Sequence, residues 1–80
     1  MRYKVERWAL LWHSKSHLDG VTEHIIYEGG IPKFFCTRKE AREYAERKYG
    51  YIKARKDLRT EPHGWRFPRA YRVMIEMEIV

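Results

Sequence analysis

Cysteine is almost missing from this chain. Cys36 is the single one among 80 residues, so no internal disulfide can staple the fold and a reducing compartment is expected. Long apolar stretches are missing as well. The longest, Trp8 to Trp12, falls far short of the ~20 residues that cross a bilayer. The basic N-terminal stretch carries no apolar secretion core, so a cytoplasmic protein that makes no use of a membrane is expected. Proline and glycine are sparse, at 3 and 5 residues, and no repeat, low-complexity tract or linker interrupts the chain. One domain over residues 1–80 is expected, large enough for a modest core but too small for a deep cleft between lobes. Acidic residues are also in deficit, 11 against 17 Lys and Arg, leaving a net charge of +6.

What the chain does have is aromatic and apolar mass: 44% hydrophobic and 15% aromatic residues mark a globular protein, because large rings bury much area per residue in a short chain. The segment with the clearest local instructions is Thr37 to Gly50. Thr37 followed by Glu40 is a capping box, in which the hydroxyl accepts from the Glu40 amide while the carboxylate reaches back. Ala41, Tyr44, Ala45 and Tyr49 then form one apolar stripe at helical spacing. Gly50 is expected to end the helix in the left-handed conformation, and Cys36, just ahead of the cap, to be a small buried packing residue.

Around that helix the sequence reads as sheet. Arg2 to Ser14 alternates as a strand and becomes apolar on both faces from Trp8 onward, which suits a central position, although Val5, Trp8, Ala9 and Trp12 also fit a helical spacing. Asp19-Gly20 signals a tight turn. Val21 to Glu28 reads as a second strand closed by Gly29-Gly30, with Ile31-Pro32 barring regular pairing beyond it. Tyr51 to Arg59 could hold a helical turn around Ile52 and Leu58, and Thr60 to Arg69 reads as an extended loop. Tyr71 to Ile79 alternates cleanly as the last strand. The expected fold is α+β: a three-stranded antiparallel sheet in the order 2-1-3, one helix on one face, and a long basic arm before the last strand. The second face of the central strand needs cover, from the arm or from another copy, so a homodimer is expected.

The familiar chemistries are thin. His13 and His17 are four apart, the spacing that chelates zinc only on one helix face; across a strand end and a loop they read as exposed histidines. His17, Asp19, Ser14 and Ser16 lack the strand-turn-helix elbow and oxyanion hole of a hydrolase. Glu76 and Glu78 read as the solvated face of a strand, and Gly29-Gly30 leads into a proline, not into the helix start of a phosphate loop. No cofactor is implied, and a non-enzymatic protein is expected.

The basic surplus is concentrated. Residues 51–72 hold seven Lys and Arg against two acids, and Lys53, Arg55, Lys56, Arg59, Arg66, Arg69 and Arg72 are interleaved with Tyr51, Trp65, Phe67 and Tyr71. Cations that displace counterions from phosphates, mixed with rings that stack on bases, are what nucleic acid binding requires. Lys53, Arg55, Lys56 and Arg59 are expected to contact phosphate, and Arg66 and Arg69 to flank a stack of Trp65 and Tyr71, with Arg72 beside it. Arg38, Lys39, Arg42 and Arg47 of the helix could extend the patch. Against this, Lys39–Glu43, Arg42–Glu46 and Glu43–Arg47 are spaced to pair among themselves, and Trp65 and Phe67 could be core plugs. The same Arg, Trp and Tyr surface also suits a protein interface.

The strings WHSK, LDG, EH, CTRKEAREY, YGYI, DLR and EPHGWRFPR resemble small uncharacterised proteins encoded by tailed bacteriophages and prophages, over roughly Trp8 to Arg72. That resemblance implies a setting rather than an activity: a small accessory protein in the cytoplasm of an infected bacterium. The expected function is therefore binding of DNA, RNA or a nucleoprotein complex through the arm. The alternative is a modulator or inhibitor of a bacterial host protein, of the anti-defence or host-takeover kind.

Overall fold

The computed structural model describes residues 1–80 and is an α+β fold in which two very long strands carry everything else. Strand β1 (Arg2–Ser16) pairs antiparallel with β2 (Gly20–Ile25) along one edge and with β6 (Trp65–Glu78) along the other. The sheet has more strands than three: β5 (Phe34–Phe35) adds to β1 opposite Trp8 and Ala9, making it four-stranded. A separate two-residue ladder joins β3 (Tyr27–Glu28) to β4 (Ile31–Pro32). Pro32 thus takes part in pairing, against expectation. Gly29 and Gly30, at φ 61° and 83°, supply the two positive angles of the tight hairpin turn that closes this ladder, and a proline is tolerated on so short an edge.

Helix α1 (Arg38–Tyr49) forms where its signals place it, with the Thr37 hydroxyl accepting from the Glu40 amide at 3.1 Å. Ala41, Tyr44 and Ala45 are buried against Leu10, Ile26 and Phe35, while Tyr49 at the end of the stripe is half-buried beside Trp12. Cys36 is exposed rather than buried, because the chain leaves the sheet at Phe35 and turns outward into the cap. Gly50 is right-handed, at φ −56° and ψ −29°. It does not stop the chain; it hands α1 directly to α2 (Tyr51–Ala54) through a junction so tight that a Cβ there would meet the Glu46 carbonyl oxygen at 2.4 Å.

The expected arm is therefore structured. α2 and α3 (Lys56–Arg59) are one turn each, anchored by Ile52 and Leu58, which are buried. α2 lies beside α1 against β6, so the arm covers the helix-bearing side and leaves the opposite face of the sheet open. Trp65 to Arg69 belongs to β6 and not to a loop. Proline is accommodated there by a bulge: between Leu11↔Arg69 and His13↔Arg66 two residues, Phe67 and Pro68, oppose the single Trp12, and bulges are among the few places a strand accepts proline. Gly64, at φ 62°, brings the chain into β6 across the backbone of Lys15, whose amide donates to the Gly64 carbonyl at 2.9 Å.

The core is small, 12 buried residues of 80, and the molecule is drawn out to 48 × 26 × 21 Å with a radius of gyration of 14.8 Å. A compact chain of this length would have a radius of about 11–12 Å. The difference comes from the far end of β1 and β6, where Arg2–Arg7 and Val73–Glu78 run as a two-stranded ribbon beyond the helix layer. No helix is long and apolar enough to cross a membrane.

Candidate nucleic acid interface

Alternation along β1 assigns its two faces. Trp8, Leu10 and Trp12 look toward α1; Val5, Ala9, Leu11 and His13 look the other way. Residues directly opposite in an antiparallel ladder share a face. Ala70 and Arg72 therefore join Leu10 and Trp8 under the helix, while Arg69 and Tyr71 lie with Leu11 and Ala9 on the open face. The bulge shifts this phase. Beyond it, Trp65 and Phe67 are on the helix side, Trp65 set edge-on to Trp12 with centroids 5.4 Å apart, and Arg66 faces His13's side.

The expected stack of Trp65 and Tyr71 flanked by Arg66 and Arg69 is thus not formed, because the two rings point to opposite faces of the sheet. The cations of the arm are also dispersed. Lys53 is bonded to Glu46 and lies 4.2 Å from the Phe67 ring centroid. Arg55 holds Asp57 in a two-pronged contact at 2.7 and 3.3 Å; that hydrogen bond lowers the Asp57 carboxyl below its ordinary range and raises the Arg55 guanidinium above its own. Arg66 Nη1 donates to the Arg59 carbonyl at 3.1 Å and pins the end of α3. Lys56 and Arg59 are exposed without a carboxylate partner.

What the fold brings together is a groove of about 1380 Å³ between α1 and the edge of β6. Its floor is apolar, formed by Phe67 and Ala70 with Leu10 and Ala45 buried beneath them, and the backbone of β6 at Tyr71 borders one side. Its rim carries Arg38, Lys39, Arg42 and Arg47 from α1, Lys53 from α2 and Arg69 from β6, against only Glu43 and Glu46. The anticipated self-pairing of the helix is mostly absent. Only Lys39–Glu43 is made, at 4.0 Å and exposed, and Glu46 is drawn to Lys53 instead. Arg42 and Arg69 have neither a carboxylate nor a ring against them; Arg42 is thus a free forked donor over the apolar trough, while Arg69 borders it from the β6 edge with its side chain on the open face. No protein-family model, curated protein or solved structure matches this chain.

Just beyond the groove, Trp8 is flanked by two guanidiniums, Arg38 at 5.9 Å and Arg72 at 5.5 Å from its ring, within the range of a cation–π contact. Neither Trp8 nor the groove floor was legible as part of a site, since Leu10, Ala45 and Ala70 read only as core. The one sequence signal was that Arg38 and Arg42 are spaced four apart on a helix. The histidines do not converge: His13 Nδ1 is 2.8 Å from Glu23 across the β1–β2 ladder, whereas the His17 amide donates to the Glu61 carboxylate at 3.2 Å.

Proposed function

We propose that this chain is a non-catalytic binding module that holds a single strand of nucleic acid in the α1–β6 groove. The observation that carries this reading is the groove's composition, six cations and two acids rimming an apolar floor. Phosphates meet the cations of the helix rim, and bases lie against Phe67, a pairing of cations with a partly exposed ring that suits an unpaired strand. Of the residues first singled out, Lys53 lines this path and Arg72 stands at its end, while Arg69 and Tyr71 border it from the β6 edge with their side chains on the open face. Arg55, Lys56, Arg59 and Arg66 add long-range positive potential without forming the groove. A phage or prophage accessory role, in a bacterial cytoplasm, rests on the sequence resemblance alone.

Fluorescence anisotropy of labelled single- and double-stranded oligonucleotides at two salt concentrations tests it. Single strands are expected to bind more tightly, with a log–log salt slope of about 0.7 per phosphate neutralised. Arg38→Glu with Arg42→Glu should flatten that slope and weaken binding on the order of a hundredfold, at two lost phosphate contacts reversed in sign. No binding to either probe at low salt would overturn it. The second reading, a modulator of a bacterial protein, is favoured by the uncovered apolar sheet face, where Tyr71 is 47% exposed. It predicts a salt-tolerant, nuclease-resistant complex from bacterial lysate that is lost on Tyr71→Ala.

A further inference from the structure

Strand β6 has only one neighbour. It pairs with β1 and with nothing on its outer side. The Ile79 amide donates to the Met1 carbonyl at 3.0 Å, and the register runs without a shift from Arg2↔Glu78 to Leu11↔Arg69. In an antiparallel ladder the residues alternate between bonding inward and pointing outward. Odd-numbered residues of β6 therefore spend their amides and carbonyls on β1, and Ala70, Arg72, Met74, Glu76 and Glu78 turn theirs toward open solvent. At the other end the edge is stopped: Pro68 has no amide to offer, and the Arg66–Arg59 contact seats α3 beside it. An unblunted edge of this length is a template for another strand.

The sequence along that edge is self-complementary. Turned antiparallel to itself about Met74, it places Arg72 opposite Glu76 twice over, and on the open face Val73 opposite Ile75 and Tyr71 opposite Met77. Centring on Arg72 or on Glu76 instead would set like charges face to face, which is unfavourable. Centring on Val73 leaves Arg72 opposite Met74 with no ion pair, and centring on Ile75 pairs Arg72 with Glu78 but leaves Glu76 opposite Met74 and a shorter ladder. We infer that this protein forms a two-fold symmetric homodimer through β6, with Met74 on the axis. The occupant of the edge is a second copy because the charges there answer each other and no foreign strand is needed. Pairing also turns the exposed Arg2–Arg7/Val73–Glu78 ribbon, a two-stranded element of marginal stability by itself, into the middle of a continuous sheet. The two α1 helices fall on one side of it, displaced along the strands in opposite directions. The contact does not rest on the nucleic acid reading, although its Ala70–Arg72 end borders the groove.

Sedimentation equilibrium of the nuclease-treated full chain should give twice the 9.8 kDa chain mass. Met74→Pro removes an outward amide that the monomer does not use, and should yield a monomer with an unchanged circular dichroism spectrum. Arg72→Glu should raise the dimer dissociation constant about tenfold or more, and adding Glu76→Arg should restore it. Should Met74→Pro fail to fold, Met74→Cys in a Cys36→Ser background serves instead: two Cα atoms about 5.5 Å apart across the axis will cross-link on oxidation, whereas Glu76→Cys will not. A monomeric mass at high micromolar concentration overturns the dimer. A dimer untouched by Met74→Pro overturns the edge contact, and rescue of Arg72→Glu by Glu78→Arg but not by Glu76→Arg overturns the axis at Met74.

Discussion

Gly64 is the position where one methyl group should do most damage. It sits at φ 62°, and a Cβ placed on it would lie 1.7 Å from the Lys15 carbonyl oxygen and 2.6 Å from its carbon. The obstacle is backbone in the central strand and cannot swing aside as a side-chain end could. Gly64→Ala then combines three costs. The left-handed conformation of an L-residue costs about 1–2 kcal/mol, forcing extra volume into a packed site about 1–3 kcal/mol, and loss of the Lys15–Gly64 hydrogen bond about 1 kcal/mol. Even the lower part of that range, about 3–5 kcal/mol, is a large share of the roughly 4–12 kcal/mol available to a chain of this size. Gly30→Ala is the matched control, since Gly30 also has a positive φ, 83°, but nothing within 4 Å of its Cβ. It should lose only the conformational term, about 1–2 kcal/mol. Urea denaturation followed by tryptophan fluorescence compares the two. If Gly64→Ala is no less stable than Gly30→Ala, the close approach of Gly64 to β1 is not a feature of the folded protein.

Ile52 is fully buried, and Ile52→Ala should cost about 2–5 kcal/mol and free α2 and α3. Thermal melts should show the loss, and limited proteolysis should open the chain between Tyr51 and Arg59 before the sheet. Burial raises the Tyr49 phenol above the ordinary tyrosine range, with the Tyr44, Tyr51 and Glu28 charges adding to it. The folded state therefore keeps that proton after the unfolded chain releases it, so stability is full below about pH 10 and falls as pH rises above it. A spectrophotometric phenolate titration should show one late-ionising tyrosine that disappears in Tyr49→Phe, and in Tyr49→Phe the alkaline loss of stability should be smaller.

Legibility followed range. Thr37, Glu40 and the Ala41–Tyr44–Ala45 stripe are decided within one or two turns, and the helix formed where they placed it. The alternation of Tyr71 to Ile79 is equally local, and so was the apolar character of both faces of β1. Gly50 misled because a glycine after a helix has two uses, and the choice of the right-handed one depends on Ile52 finding a buried site some way off. Pro68 misled in the same manner: in a chain read from the N-terminus it signals a loop, yet it separates helix-facing positions of opposite phase, Trp65 and Phe67 before it and Ala70 and Arg72 after it, and so marks a bulge. The groove was missed for a long-range reason as well. Arg42–Glu46 is well spaced within the helix, but Lys53, brought back by the α1–α2 junction, takes the Glu46 carboxylate and leaves Arg42 open.

The bulge at Phe67–Pro68 also makes β6 a strand with two reading frames. On one side of it odd positions face the helix, and on the other side even positions do. Losing or gaining a single residue there would exchange interior for exterior along the whole remainder of the strand, sending Ala70 and Arg72 to the open face and Arg69 and Tyr71 under the helix. Substitutions at this point can be graded, but changes of length cannot. The count between Trp65 and Arg72 is therefore fixed by the two faces that β6 serves.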